Sequence, residues 1–189
     1  MLLTYSRLSP WKSETDFKAK IQTQQKIHTF RDGKRWRSGM RIDFWDESPR
    51  NTRKVPPPAP IVVSPSCATF WGVFKDKEGN PIEKPLVAAV EDYKWEFWDV
   101  VEGMEGYNPE ATRQIGYDLW IGERHIDEKL INLVAKRDGF ESVRDFVNWF
   151  DWSRTKKGVD SLEGQVIHWV KGKVYDKERA DIYSHLKAV

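Results

Sequence analysis

A single cysteine, Cys67, stands in 189 residues, which excludes an internal disulfide and a multi-cysteine metal site. No apolar run comes near the roughly 18 residues that a bilayer-spanning helix needs, so no membrane partner is expected. The opening stretch MLLTYSRLSP is too short and too polar for a secretory signal. Together these absences point to a cytoplasmic protein, of a bacterium or of a phage-infected host cell. His28, His125 and His168 are scattered without ligand spacing, which argues against zinc; no metal and no cofactor are expected. His168, inside VIHWV, reads as a core or barrel-mouth histidine donating to a backbone carbonyl. No internal repeat is visible.

What the chain does have is charge. Charged residues make up 32% and hydrophobic residues 39%, a balance of soluble globular proteins and not of disordered tails. The length suits one domain with insertions and a sizeable core. The net charge of +2 conceals two opposite stretches. Arg31, Lys34, Arg35, Arg37 and Arg41 face only Asp32 between residues 31 and 41, whereas seven acids, Glu91 to Glu110, face only Lys94 between residues 91 and 110. Such a chain can present a basic groove to phosphates while its acidic side repels them. Two solvated loops of opposite sign are the alternative, and the composition leaves both open.

The pattern along the chain predicts many short strands around a few helices. LTYS reads as a first strand. Ser13, with Asp16 three positions on, predicts an N-cap for a short helix from Glu14 to about Gln24, carrying Phe17 and Ile21 on one face. KIHTFR reads as the next strand, and a basic turn leads to an alternating Met40-Ile42-Phe44 strand. NTRKVPPPAP is a proline-rich connection too short to link independent domains. Strands follow through Phe70–Phe74, Tyr93–Trp98 and Tyr117–Ile121, where Tyr93, Trp95 and Phe97 are expected in the core. Ile126, Leu130, Leu133 and Val134 sit at helical spacing before Gly139, a C-terminal stop. A second helix opens at Ser142, with Asp145 completing a capping box, and buries Val143, Phe146, Val147 and Phe150. Gln165–Val170 predicts a late strand, and Tyr175, Arg179, Ile182, Tyr183 and Leu186 share a face of a last helix. Without alternating βαβ units, this order argues for an α+β fold with a small barrel or strongly curved sheet.

One strand is oddly polar. KIHTFR places Lys26, His28, Thr29 and Arg31 within six residues, where a strand built only for packing would hold more Val, Ile and Phe. The order LTYS, helix, KIHTFR, basic Trp-containing turn, GMRIDFW, then AKRDGFESVRDFVNWF and GQVIHW resembles the ASCH domain proteins of the PUA-like superfamily, most closely the versions found in phages and Bacteroidetes. The resemblance covers residues 2 to about 51 and 117 to 170. It is carried by K-x-x-T-x-R at Lys26, Thr29 and Arg31, followed by D-G-F-x-S-x-x-D-F-x-x-W-F from Asp138 to Phe150. It implies a PUA-like small β-barrel with flanking helices as one domain over residues 1 to 170. Residues 92 to 116 are expected as an insertion and 171 to 189 as a C-terminal helical extension.

The resemblance further implies an RNA-associated function. Some relatives are small metal-free amidohydrolases acting on N4-acetylcytidine, with a lysine, a threonine and a glutamate as the proposed catalytic set; others are ribonucleases or simply bind RNA. Carried over by residue, the set falls on Lys26, Thr29 and Asp138, the last one carbon shorter than the family's acid. Lys26 acts as a base only if burial lowers its pKa. Strict alternation puts it on the face opposite Thr29 unless it lies ahead of the strand or at a bulge. A solvent-facing lysine beside a structural threonine is the plain alternative. Arg31, Lys34, Arg35, Arg37 and Arg41 interleaved with Trp36 suit phosphates and a stacked base, or else form a solvated loop with Trp36 packed inward. The expected function is binding of RNA or a modified nucleoside in a basic cleft. Amidohydrolase or ribonuclease activity is an alternative, and so is a protein-interaction role through the acidic insertion or the C-terminal helix.

Overall fold

The computed structural model describes residues 2–7, 9–11, 14–50, 53, 56–63, 71–110 and 114–169. Its centre is a five-stranded antiparallel sheet in the order β2 (His28–Asp32), β9 (Ser161–His168), β6 (Ala89–Asp99), β7 (Ile115–Ile121), β8 (Arg124–His125). Two smaller sheets flank it: a parallel pair of β1 (Leu2–Thr4) with β3 (Asp43–Trp45), and a hairpin of β4 (Trp71–Lys75) with β5 (Pro81–Pro85). Three helices complete the described fold: α1 (Phe17–Gln22), α2 (Glu128–Arg137) and α3 (Val143–Lys157). The α+β class is as the sequence predicts. Among the described residues the strands form three separate sheets and do not close into a barrel. β2 pairs with β9 and β1 with β3, so β1 and β2 share no ladder. A side chain crosses between them instead, Arg31 Nη2 donating to the Thr4 carbonyl at 2.6 Å.

The helix ends follow local chemistry. Asp127 caps α2 by accepting from the Lys129 and Leu130 amides at 3.0 and 2.8 Å. At its far end the Gly139 amide donates to the Lys136 carbonyl and the Phe140 amide to the Ala135 carbonyl, at 3.0 and 2.9 Å. That is the paired bonding of a Schellman turn, with Gly139 at φ 90° in the left-handed position. Ser142 caps α3 through the Asp145 amide at 3.1 Å while donating to the Asp145 carboxylate at 2.8 Å. α1 is shorter than predicted: it begins at Phe17 after Asp16, whose φ is 52° and whose side chain makes no cap bond. Ser13, the predicted cap, lies outside the described residues, as do Cys67 and the whole of 170–189.

Core packing concentrates on one face of the large sheet. Trp95 is fully buried and lies 4.6 Å from the Phe150 ring and 4.8 Å from the Phe146 ring, centroid to centroid, while Phe30 is 4.9 Å from Tyr93. Buried aromatics of this kind contribute about 0.5–1.5 kcal/mol per pair beyond the area they remove from water. Tyr93, Trp95 and Phe97 are core residues, as expected. The segment 92–116, expected as an insertion, begins inside the central sheet: residues 92–99 belong to β6, which is hydrogen-bonded to β9 on one side and β7 on the other. Residues 101–110 are exposed. The strand predicted over Met40–Phe44 is also displaced to Asp43–Trp45. Gly39, Met40 and Ile42 instead exchange backbone bonds with Pro85 and Val87 at 2.8 Å.

Candidate functional site

Lys26 sits two residues ahead of β2, in the turn that leaves α1. Its amide donates to the Lys20 carbonyl and the next amide, Ile27, to the Arg137 carbonyl, both at 2.9 Å. The turn is thereby fastened to the C-terminus of α2. Gly139 makes room for the side chain: a Cβ there would meet Lys26 Cδ at 3.2 Å and Phe17 Cδ1 at 3.3 Å. Lys26 Nζ donates to both the backbone carbonyl and the carboxylate of Asp138. An ammonium at the negative end of a helix also gains from the macrodipole. The pair is deeply enclosed, with Lys26 1% and Asp138 3% exposed. Despite its shorter side chain, Asp138 reaches the lysine.

Burial acts against both charges. It pushes the Asp138 carboxyl up to about 6, with Lys26 opposing the rise. It brings the Lys26 ammonium down to about 8, with Asp138 opposing the fall. Both groups are therefore ionised in the window between those values, and each is much nearer neutrality than an exposed counterpart.

Thr29 is buried in β2, opposite Ile167 of β9. Because the strand begins at His28, alternation does not separate Thr29 from Lys26. Both line one cavity of about 340 Å³ together with Asp138, Tyr5, Arg31 and Arg35. Its walls include the aromatic rings of Phe17, Phe30, Tyr93, Phe140, Trp149 and Phe150. Polar groups convergent among aromatic walls are the usual make-up of a small-molecule site.

The basic segment does not act as one surface. Since β2 pairs with β9 and β3 with β1, residues 33–42 are a connection between sheets and not a hairpin turn. Arg31 and Arg35 line the cavity. Lys34 is paired with Asp92 at 2.8 Å and Arg41 with Asp43 at 3.1 Å. Exposed Arg37 donates at 3.4 Å to the Trp36 carbonyl. Trp36 is corrected from a candidate stacking platform to a core residue: it is 1% exposed, and its amide donates to Gln165 Oε1 at 2.9 Å. His168 is buried, as the core reading expected, and its Nε2 lies 3.1 Å from the Glu91 carboxylate.

Sequence reasoning missed Tyr5. It is 4% exposed, its ring lies 5.4 Å from Lys26 Nζ and 5.1 Å from Arg31 Cζ, and its hydroxyl has no hydrogen-bond partner. Burial raises its pKa; Arg31 and Thr29 are near enough to oppose that rise without meeting hydrogen-bond geometry. The only sequence signal was its place at the end of the LTYS strand. A neighbouring cavity of about 410 Å³ shares Tyr5, Ser6 and Phe17. Its cations are engaged locally, Arg7 lying 3.1 Å from Asp46, and it lacks Lys26, Thr29 and Asp138. Lys26, Thr29 and Asp138 therefore come together only in the smaller of these two cavities. Comparison of the chain with family models, with curated proteins and with solved structures gives no match in any of the three.

Proposed function

We propose that the protein is an ASCH-like, PUA-fold domain whose cavity binds a nucleobase-bearing ligand, a modified nucleoside or the end of an RNA. The observation that carries this reading is the joint burial of Lys26, Thr29 and Asp138 in one aromatic-walled cavity of about 340 Å³. A planar base entering it gains about 1–3 kcal/mol from stacking on an aromatic ring, while the buried polar groups read its edge. Calorimetric titration with cytidine, N4-acetylcytidine and the other common nucleosides tests the reading. Binding that is lost in Thr29→Val, with thermal unfolding retained, is the expected result; a protein that binds no nucleoside or short RNA overturns it.

Hydrolysis is a second reading, favoured by the lowered pKa of the Lys26 ammonium in a cavity that the Thr29 side of β2 also lines. A neutral Lys26 amine accepts a proton from a water positioned by Thr29 as the water oxygen attacks the acyl carbon; the C–N bond then breaks, the nucleobase amine leaves with the proton returned from the ammonium, and acetate is released. Acetate release from N4-acetylcytidine, absent in Lys26→Ala and Thr29→Ala and rising with pH through about 8, is the expected signature. Binding without turnover at any pH leaves recognition alone.

A further inference from the structure

We infer that the ligand carries an oxyanion, a phosphate monoester or a carboxylate, seated at the Arg31–Arg35 side of the cavity beside Tyr5. The inference rests on the nucleobase reading above and specifies what else the ligand must present.

The charges that line the cavity are Lys26, Arg31 and Arg35 against Asp32 and Asp138. Both carboxylates already hold a cation. Asp138 is bonded to Lys26, and Asp32 to Lys157, which reaches it from α3. Among the described residues, Arg31 and Arg35 have no carboxylate within ion-pairing distance, although the Arg31 charge is near enough to act on Asp138. Arg31 spends Nη2 on the Thr4 carbonyl at 2.6 Å, while its enclosed Nε has no acceptor. The buried phenol of Tyr5 likewise has no partner. An enclosed donor without an acceptor costs about 1–3 kcal/mol, and both residues border a space that only a ligand or solvent can fill. Two guanidiniums can only donate and the phenol hydroxyl can donate as well as accept, so the group all three suit is an acceptor with negative charge.

A single terminal anion fits better than a polynucleotide backbone. Three of the neighbouring cations that would extend a phosphate track are engaged by carboxylates, Lys34 by Asp92, Arg41 by Asp43 and Lys157 by Asp32, which leaves exposed Arg37 with only the adjacent Trp36 carbonyl. The cavity volume also lies at the low end for small-ligand sites, roughly 300–1,000 Å³.

The test titrates the protein with cytidine, cytidine 5′-monophosphate, cytidine 5′-carboxylate and inorganic phosphate at low salt. The same series is run on guanosine and its 5′-monophosphate to cover base preference. The monophosphate is expected to bind about tenfold more tightly than its nucleoside, the gain of one charge-assisted contact. Inorganic phosphate should compete for it. Arg35→Ala, at an exposed position, and Tyr5→Phe, which keeps the ring, should each remove most of that gain, so that the ratio of monophosphate to nucleoside affinity falls towards one. A gain shown only by the 5′-carboxylate identifies a carboxylate as the oxyanion. Equal affinity for the nucleoside, its monophosphate and its 5′-carboxylate overturns the oxyanion seat and leaves the nucleobase reading intact. Phosphate binding that depends on Arg35, with no nucleoside binding, upholds the seat and removes the nucleobase reading. No binding of any of these overturns both.

Discussion

Lys26 and Asp138 show what their environment costs. Asp138 has its pKa raised from 3.8 to about 6, so its contribution to stability is full below the unfolded value and is lost as pH climbs through 6. Lys26 has its pKa lowered from 10.5 to about 8, so its contribution is full above the unfolded value and is lost as pH falls through 8. Between those two values both groups are charged and both are disfavoured by burial, which makes a trough in the stability they contribute. A double replacement, Lys26→Met with Asp138→Leu, should therefore raise stability at neutral pH by about 1–4 kcal/mol. Lys26→Met alone strands a buried carboxylate and should cost about 3–5 kcal/mol, less whatever Asp138 recovers by taking up a proton. Urea unfolding from pH 4 to 10 checks both: the trough between pH 6 and 8 should disappear in the double variant. A double variant less stable than the parent at pH 7 would show that the pair is structural and not a functional burden.

At the scale of elements, the site depends on how closely β2 approaches β9. Gly164 lies opposite Asp32, and a Cβ there would stand 2.0 Å from the Arg31 carbonyl oxygen and 2.9 Å from the Asp32 Cα. Backbone, unlike a flexible side chain, cannot step aside. Gly164→Ala should cost about 1–3 kcal/mol by overpacking and weaken ligand binding by shifting Thr29 and Arg31, measurable as a lower urea midpoint and a higher Kd together. Ser142→Ala makes a useful contrast. It removes the α3 cap bond to Asp145 and should cost about 1 kcal/mol, with ligand affinity kept because α3 still presents Phe150 and Trp149 to the cavity.

The elements also show what could be read from the chain and what could not. Ser142, Asp145 and Gly139 announced their helix ends because capping is local chemistry, encoded within a few residues. Tyr93, Trp95 and Phe97 announced a core strand by alternation. The strand through Ser161–Leu162 and the irregular run through Met40 were misjudged because their bonds go to distant partners, the former to Glu96 and Trp95 and the latter to Val87. Spacing alone cannot supply such partners. Lys26, Thr29 and Asp138 were named as a group from the resemblance, yet their convergence depends on the α1–β2 turn being bonded to the end of α2. Trp36 was open between a stacking ring and a core ring, since a lone tryptophan among arginines suits both. Tyr5 gave no warning beyond its place in LTYS: its importance comes from lacking a partner, a property of the assembled cavity.

On the scale of the whole molecule, the acidic stretch divides between sheet and surface. The β6–β7 ladder runs from Tyr93↔Ile121 to Asp99↔Ile115, and the Val100 amide still donates to the Gln114 carbonyl at 3.0 Å. Beyond that bond the described residues 101–110 are exposed, with Val101 at 57% and Met104 at 43%. Replacing 101–113 with Asn-Gly, which favours the tight turn that suits two-residue hairpins, should keep the fold and the ligand affinity, with thermal unfolding shifted by a few degrees at most. Removing 92–116 should instead leave no cooperative transition, because it takes away Trp95 and the contacts of β6 with both neighbours. If the short excision also unfolds the protein, the excursion is part of the domain's structure. If it folds and binds but loses a protein partner captured by the parent chain, the acidic tip is an interaction surface separate from the cavity.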